Sequence, residues 1–256
     1  MRCLRRLALA SCTLFLLAGL PNQALASTPT ADYQVTFDAS WSAATHSTGF
    51  PPNPHFSPLI GATHDATVLL WEAGQTASSG IERMAELGQT GTLSGEIVAL
   101  GANADVLIPG GGIDPSPGSV SVVFTASGSH PFLSLVSMLA PSPDWFVGVS
   151  AFNLKSNGEW IESATVDLFT YDAGSDSGAN YTSGDLDTVP KEPIAMITTS
   201  PFDNGVPVGT YTITRTDSPP EAPALGAGGI AALGATLALL SVLAIRRRGQ
   251  SARRSG

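Results

Sequence analysis

The chain has 256 residues, 43% of them apolar, which allows one sizeable domain with appendages. Its formal charge of −9 is unevenly placed: all 21 acids lie between Asp32 and Glu221, with only Arg83, Lys155, Lys191 and Arg215 among them, a field that repels nucleic acid and attracts cations. Both cysteines, Cys3 and Cys12, fall in the first dozen residues, so a chain that has lost its leader holds no disulfide, zinc thiolate or thiol nucleophile.

At the start, Arg2, Arg5 and Arg6 precede an apolar run from Leu7 to Leu20, and Ala24-Leu25-Ala26 offers small residues before Ser27. This is the pattern of a secretory signal peptide, residues 1–26, cleaved after Ala26. A rival reading makes Leu9-Ala10-Ser11-Cys12 a lipobox, but it leaves about five apolar residues before the cut, fewer than such signals carry.

Tyr33–Ala39 alternates with period two and predicts a half-buried strand. Residues 45–58 are rich in Pro, Gly, Ser and His and predict a loop pinned by Phe50 and Phe56. His46, His55 and His64 are nine residues apart, which fits surface or hydrogen-bonded roles and no helical metal motif. Val68–Trp71 is apolar without a clear period. Ser78–Leu87 predicts a helix capped by serine and closed by Gly88, with Met84 in its packed face; a second short helix spans Thr92–Leu100. Ile108–Gly118, with Gly110-Gly111-Gly112, is a loop: no Lys-Ser or Lys-Thr follows, so it is not a phosphate cradle. Strands are predicted at Ser119–Ser127, Phe132–Leu139, Val147–Leu154, Ile161–Tyr171, Ile194–Thr198 and Val208–Thr214. About eight short strands with turn residues between them indicate a mainly β chain, an antiparallel β-sandwich with one or two short helices.

After Pro219-Pro220-Glu221-Ala222-Pro223, the 22 uncharged residues Ala224–Ile245 would span about 33 Å as a helix, enough for a bilayer core. The arginines of residues 246–256 would stay in the cytoplasm, so the middle region faces out. The order of Pro-rich motif, apolar helix and arginine cluster resembles bacterial PEP-type sorting tails, thought to be recognised by a membrane transpeptidase; a plain membrane anchor fits equally. The expected organisation is a signal peptide (1–26), a domain (27–218, core 33–216), a linker or sorting motif (219–223), a transmembrane helix (224–245) and a basic tail. The expected location is the cell surface of a bacterial envelope, reached by secretion.

Catalytic motifs are absent: there is no Gly-x-Ser-x-Gly elbow, His-Glu-x-x-His or dinucleotide fingerprint, and Glu159 and Glu162 flank Trp160 in what reads as a surface turn of solvated charge. An enzyme is not expected. The stretch Pro141–Gly178 differs. Asp144 follows a Pro-Ser-Pro turn, Asp172 ends a strand, and Asp176 lies four residues on in a Gly-rich loop. A calcium ion takes six to eight oxygens, and carboxylates at strand ends can converge on one; isolated Asx turns are the plainer account of the same residues.

Tyr33-Gln34-Val35-Thr36-Phe37 with Trp41-Ser42, Pro58-Leu59-Ile60-Gly61-Ala62-Thr63-His64, Trp71, Ser79-Gly80, Pro141-Ser142-Pro143-Asp144-Trp145-Phe146-Val147-Gly148-Val149, Asp167-Leu168 and Tyr171-Asp172-Ala173-Gly174-Ser175-Asp176-Ser177-Gly178 together resemble the spondin domain, from about Tyr33 to about Thr216. The resemblance implies a C2-like β-sandwich in secreted or matrix proteins of cell adhesion, binding a divalent cation such as calcium. It implies Asp144 and Asp172 as ligands, and an upstream strand glutamate whose ungapped position here is Thr125; Asp176 is a possible substitute. Expected partners are extracellular matrix or a cell-surface protein or glycan, with no nucleic acid. The alternatives are a carbohydrate-binding sandwich, suggested by exposed-looking Trp160 and Tyr181, and a metal-dependent hydrolase.

Overall fold

A computed structural model describes residues 30–217. The predicted leader, linker, terminal span and basic tail lie outside the described residues, and among the described residues no helix is long and apolar enough to cross a membrane.

Strand β1 (Thr30–Ala39) shows the period that predicted it: Ala31, Tyr33, Val35, Phe37 and Ala39 are buried while Asp32 and Asp38 are exposed. The other strands are β2 (His55–Phe56), β3 (Ile60–His64), β4 (Ala104–Pro109), β5 (Gly118–Ser127), β6 (Phe132–Ala140), β7 (Trp145–Asn153), β8 (Lys155–Ser156), β9 (Glu159–Trp160), β10 (Ser163–Leu168), β11 (Tyr171–Asp172), β12 (Ala195–Met196) and β13 (Gly209–Arg215). One antiparallel sheet has the order β10-β13-β1-β5; a second runs β12-β11-β7-β6-β3-β4, with β2 also on β6. Their facing sides share one core that includes Tyr33, Phe37, Trp41, Leu135, Val147 and Tyr211. The far side of the larger sheet, through Ile60, Ala62, Val136 and Phe146, packs on helices α1 (Ser79–Leu87) and α2 (Gly91–Ala99) through Ile81, Met84, Leu93 and Ile97. The molecule is therefore three layers, sheet on sheet on helices, and β6 in the middle layer is buried on both sides along Leu133–Ala140.

Helix α1 begins and ends as its sequence requires. Ser78 Oγ accepts the Ile81 N–H, and Gly88 adopts φ 64°, the left-handed geometry that closes a helix without a Cβ penalty. Phe56 and Phe50 do pin the 45–58 loop, both against Trp41.

Three differences from the sequence reading matter. Strand β3 was not anticipated because all five of its residues are buried, which removes alternation as a signal. Strand β4 enters the stretch read as loop, through Ile108 and Pro109. The predicted strand Ile161–Tyr171 is two strands in different sheets: β10 pairs with β13, the chain crosses at Phe169-Thr170, and β11 pairs with β7 and β12. That crossing delivers Asp172 to the side of Asp144.

Candidate functional site

The Pro141-Ser142-Pro143-Asp144 turn joins β6 to β7. Ser142 Oγ accepts the Trp145 N–H at 3.1 Å and so fixes the turn from which Asp144 projects. Across the ladder Asp172 pairs with Trp145, and the Ala173 N–H donates to the Asp144 carbonyl at 3.1 Å, so the two aspartates sit on neighbouring strand ends. The link Ala173–Ser177 then wraps around the Asp144 side chain. Asp144 Oδ2 accepts three hydrogen bonds, from the Ser175 N–H at 2.8 Å, the Ser175 hydroxyl at 3.2 Å and the Asp176 N–H at 3.0 Å. Gly174 makes this wrap possible: its φ is 72°, its N–H donates to Asp172 Oδ1 at 2.7 Å, and a Cβ on it would be driven into the Glu192 carbonyl.

The other oxygen of Asp144 is different. The residue is fully buried, and Oδ1 has no hydrogen-bond partner. A buried carboxylate oxygen without a donor costs several kcal/mol, on the order of 1–3 or more, unless the group is protonated or meets a cation. Burial, with the Asp172 charge added, pushes the Asp144 carboxyl up to about 6, against the pull of its three hydrogen bonds. Burial likewise raises Asp172, opposed by the Gly174 N–H and aided by Glu192 and Asp176. A buried carboxylate whose affinity for a proton is raised by its neighbour's charge forms with that neighbour a pair that a hard cation would relieve.

Asp176 joins the same cluster with its oxygens already engaged. Oδ1 accepts from Gly178 N–H at 2.7 Å and Oδ2 from Leu186 N–H at 3.0 Å, so this carboxylate holds the 177–187 loop. Among the described residues no group of three or more His, Cys, Asp or Glu side chains stands at metal-ligand spacing. Thr125 is not brought to the aspartates. It lies on β5, where its hydroxyl donates to Asp32 Oδ1 at 2.6 Å, just before the turn into β6, whereas Asp144 lies beyond the far end of that nine-residue strand. The length of β6, about 30 Å at roughly 3.3 Å per residue, separates the two ends.

The sequence reading missed Glu86. This half-buried carboxylate on α1 faces Ser175, and burial raises its pKa, opposed by the Ser175 hydroxyl and aided by Glu82, Asp176 and Asp185. Glu86, Asp176, Asp185 and Asp187 line one cleft with Ser142 and Pro143. Glu82, one turn before Glu86, ion-pairs with Lys191 and ties the same loop region to α1. The available signal was the like-charge spacing of Glu82 and Glu86, which is unfavourable on a helix unless other elements meet it.

Elsewhere the histidines are hydrogen-bonded as expected. His46 and His64 are buried, and His64 Nδ1 and Nε2 engage the Asp65 carbonyl and Ser134 Oγ. Trp160 and Tyr181, read from sequence as exposed, are 5% and 4% exposed. Trp160 packs edge-on to Tyr33, and Tyr181 sits in an aromatic cluster with Trp41, Trp145 and Phe202, so neither offers a sugar platform. Glu159 and Glu162 are exposed, with Glu162 paired to Arg215.

Comparison with known proteins finds the Spondin_N family model matched over residues 31–216. The chain is 33% identical to Spondin-2 of Homo sapiens over 176 residues, covering 66% of this chain and 53% of that protein. It is 37% identical to Spondin-1 of Gallus gallus over 187 residues, covering 68% of this chain and 23% of that protein. The match thus spans about half of Spondin-2 and under a quarter of Spondin-1.

Proposed function

The chain belongs to the Spondin_N family, and on that footing we propose that it is an extracellular adhesion or ligand-binding module that holds one divalent cation, calcium in the first instance, between Asp144 and Asp172. The observation that carries the cation is Asp144 Oδ1, a buried carboxylate oxygen with no donor, beside a second carboxylate. The residues fit the group: two carboxylates supply the charge, and main-chain carbonyls and water commonly complete the shell of such an ion. When bound, the ion would supply a positive centre able to accept an oxygen ligand from a partner. The chain's own residues would do the positioning, with Ser175 and Asp176 N–H groups orienting Asp144 and the Gly174 N–H orienting Asp172. Asp176 is the weaker ligand because its oxygens already hold the loop; Thr125 has no part in the site.

Partners in this reading are extracellular matrix or a cell-surface protein or glycan, met at the acidic end of the domain. Secretion through the 1–26 leader, and retention by the 224–245 span as an anchor or a sorting signal in a bacterial envelope, complete the proposal on sequence grounds. The carbohydrate-binding alternative loses the support of Trp160 and Tyr181, which are buried, and the hydrolase alternative has no motif to recommend it.

Thermal denaturation of the full chain tests the cation. Calcium should raise the Tm, and Asp144→Ala combined with Asp172→Ala should remove that rise; an unshifted wild-type chain sinks the proposal.

A further inference from the structure

The larger sheet carries a second feature, where Gly148–Phe152 of β7 meets Trp71 and the β10–β11 crossing. A cleft of about 400 Å³ opens beside β7, walled by Trp71, Phe152, Phe169 and Tyr171, with Glu72 and Asp167 at its edge. Its size falls within the range of small-ligand pockets. Phe152, Phe169 and Tyr171 are each only half-buried, and Glu72 and Asp167 are exposed. No Lys, Arg or His lines it.

The wall is held in an unusual shape. Ala151 has φ 47°, a left-handed conformation that costs a non-glycine residue about 1–2 kcal/mol, at the β-bulge where the β6–β7 register shifts. A buried polar chain keeps it there. Taken with Nδ1 as the donor, His64 gives its proton to the Asp65 carbonyl at 2.8 Å, and Nε2 then accepts from the Ser134 hydroxyl at 2.9 Å. The Ser134 oxygen in turn accepts the Ala151 N–H at 2.9 Å. Trp71 is clamped as well: its indole N–H donates to the Val149 carbonyl at 3.2 Å, and its own carbonyl accepts the Ser150 hydroxyl. Strained backbone fixed by a satisfied buried network concentrates at sites where a surface must keep one shape.

The chemistry of the wall selects an occupant. Aromatic faces carry negative potential and attract cations, more strongly when water is excluded. Both ionisable side chains that line the cleft without being aromatic are acids, which excludes an anionic ligand. A primary ammonium has three N–H donors to satisfy and must keep acceptors for them, and the carboxylates that could serve here, Glu72 and Asp167, stand exposed, where water competes for them. A cation whose charge is spread over methyl groups needs no acceptor. We propose that this cleft binds a quaternary ammonium group, its methyls against the aromatic rings and its charge balanced by Asp167 and Glu72.

The test is titration calorimetry of the full chain with choline, with chelator present throughout so that calcium plays no part. The neutral isostere 3,3-dimethylbutan-1-ol provides the comparison. Choline is expected to bind saturably, and the isostere about tenfold more weakly, which is the scale of a desolvated cation–π contact. Asp167→Asn, at an exposed position, should weaken choline about threefold, and Phe169→Leu, which keeps bulk and removes the ring, about fivefold. Absence of saturable choline binding, equal affinity for the two compounds, or full-strength binding by both variants overturns the proposal.

Discussion

In Asp144 the two carboxylate oxygens have opposite circumstances: Oδ2 takes three hydrogen bonds and Oδ1 none. The contrast separates two substitutions. Asp144→Ala removes the anchor of Ser175 and Asp176 and should cost about 2–3 kcal/mol even with chelator present. Asp144→Asn keeps an acceptor for those groups while removing the charge that opposes Asp172. It should be at least as stable as wild type in chelator and should lose the calcium response; equal damage from both substitutions would argue that the carboxylate is merely structural. Among the histidines, burial holds His64 below its ordinary value of 6.5. A folded-state pKa below the unfolded one means the unfolded chain binds more protons as the pH falls through 6.5, so this contribution to stability is present above that pH and lost below it. Asp144 and Asp172 act in the opposite sense, since their pKa values are raised, so the comparison is with His64→Gln. That variant should be less stable at neutral pH by about 1–3 kcal/mol and lose less on acidification; parallel pH curves in urea denaturation would contradict the assignment. Asp144 and Asp172 were legible in sequence as acids at strand ends. The engagement of Asp176 was not, because an Asx turn and a metal ligand use the same residue type. Thr125 was placed by ungapped counting, which carries no information about which end of a strand a residue occupies.

At the scale of elements, the site depends on the crossing from β10 to β11. Alternation predicted one strand over Ile161–Tyr171 because a strand that changes sheets keeps its extended backbone and most of its period. The break is visible only in pairing, where Leu168 still faces Gly209 on β13 while Tyr171 faces Phe146 on β7. The helices were more legible, since Ser78 and Gly88 carry their caps locally, and α2 lies within one residue of its predicted span. Gly174 is the residue on which the crossing's product depends. Gly174→Ala combines a left-handed φ of 72° with a clash against the Glu192 carbonyl. It should destabilise the chain by more than about 1 kcal/mol and weaken the calcium response with it. A variant with wild-type Tm and an intact calcium shift would show that the loop reaches its geometry by other means.

Over the whole molecule, the three layers separate support from site. The shared core of aromatic residues, with Trp145 immediately after Asp144, ties the acidic turn to the packed interior, and α1 covers the other side of the sheet while presenting Glu82 and Glu86 to the 172–192 region. The two-sheet sandwich was readable from period and turns, and Asp144 and Asp172 from their places at strand ends; the packing of the helices on the far side of the larger sheet, and the approach of Glu86 to the acidic end, were not, because they depend on which elements meet in space. With a formal charge of −9, the chain repels itself. Its Tm should therefore rise by a few degrees as sodium chloride screens that repulsion, and a fall with salt would count against it. One atom, Asp144 Oδ1, decides whether the acidic turn holds a cation. A crystal structure of the chain grown with calcium reads it directly: the expected result is a cation about 2.3–2.6 Å from Asp144 Oδ1 and from an Asp172 oxygen. Calcium bound elsewhere, or Oδ1 facing only a water or protein donor, would contradict it.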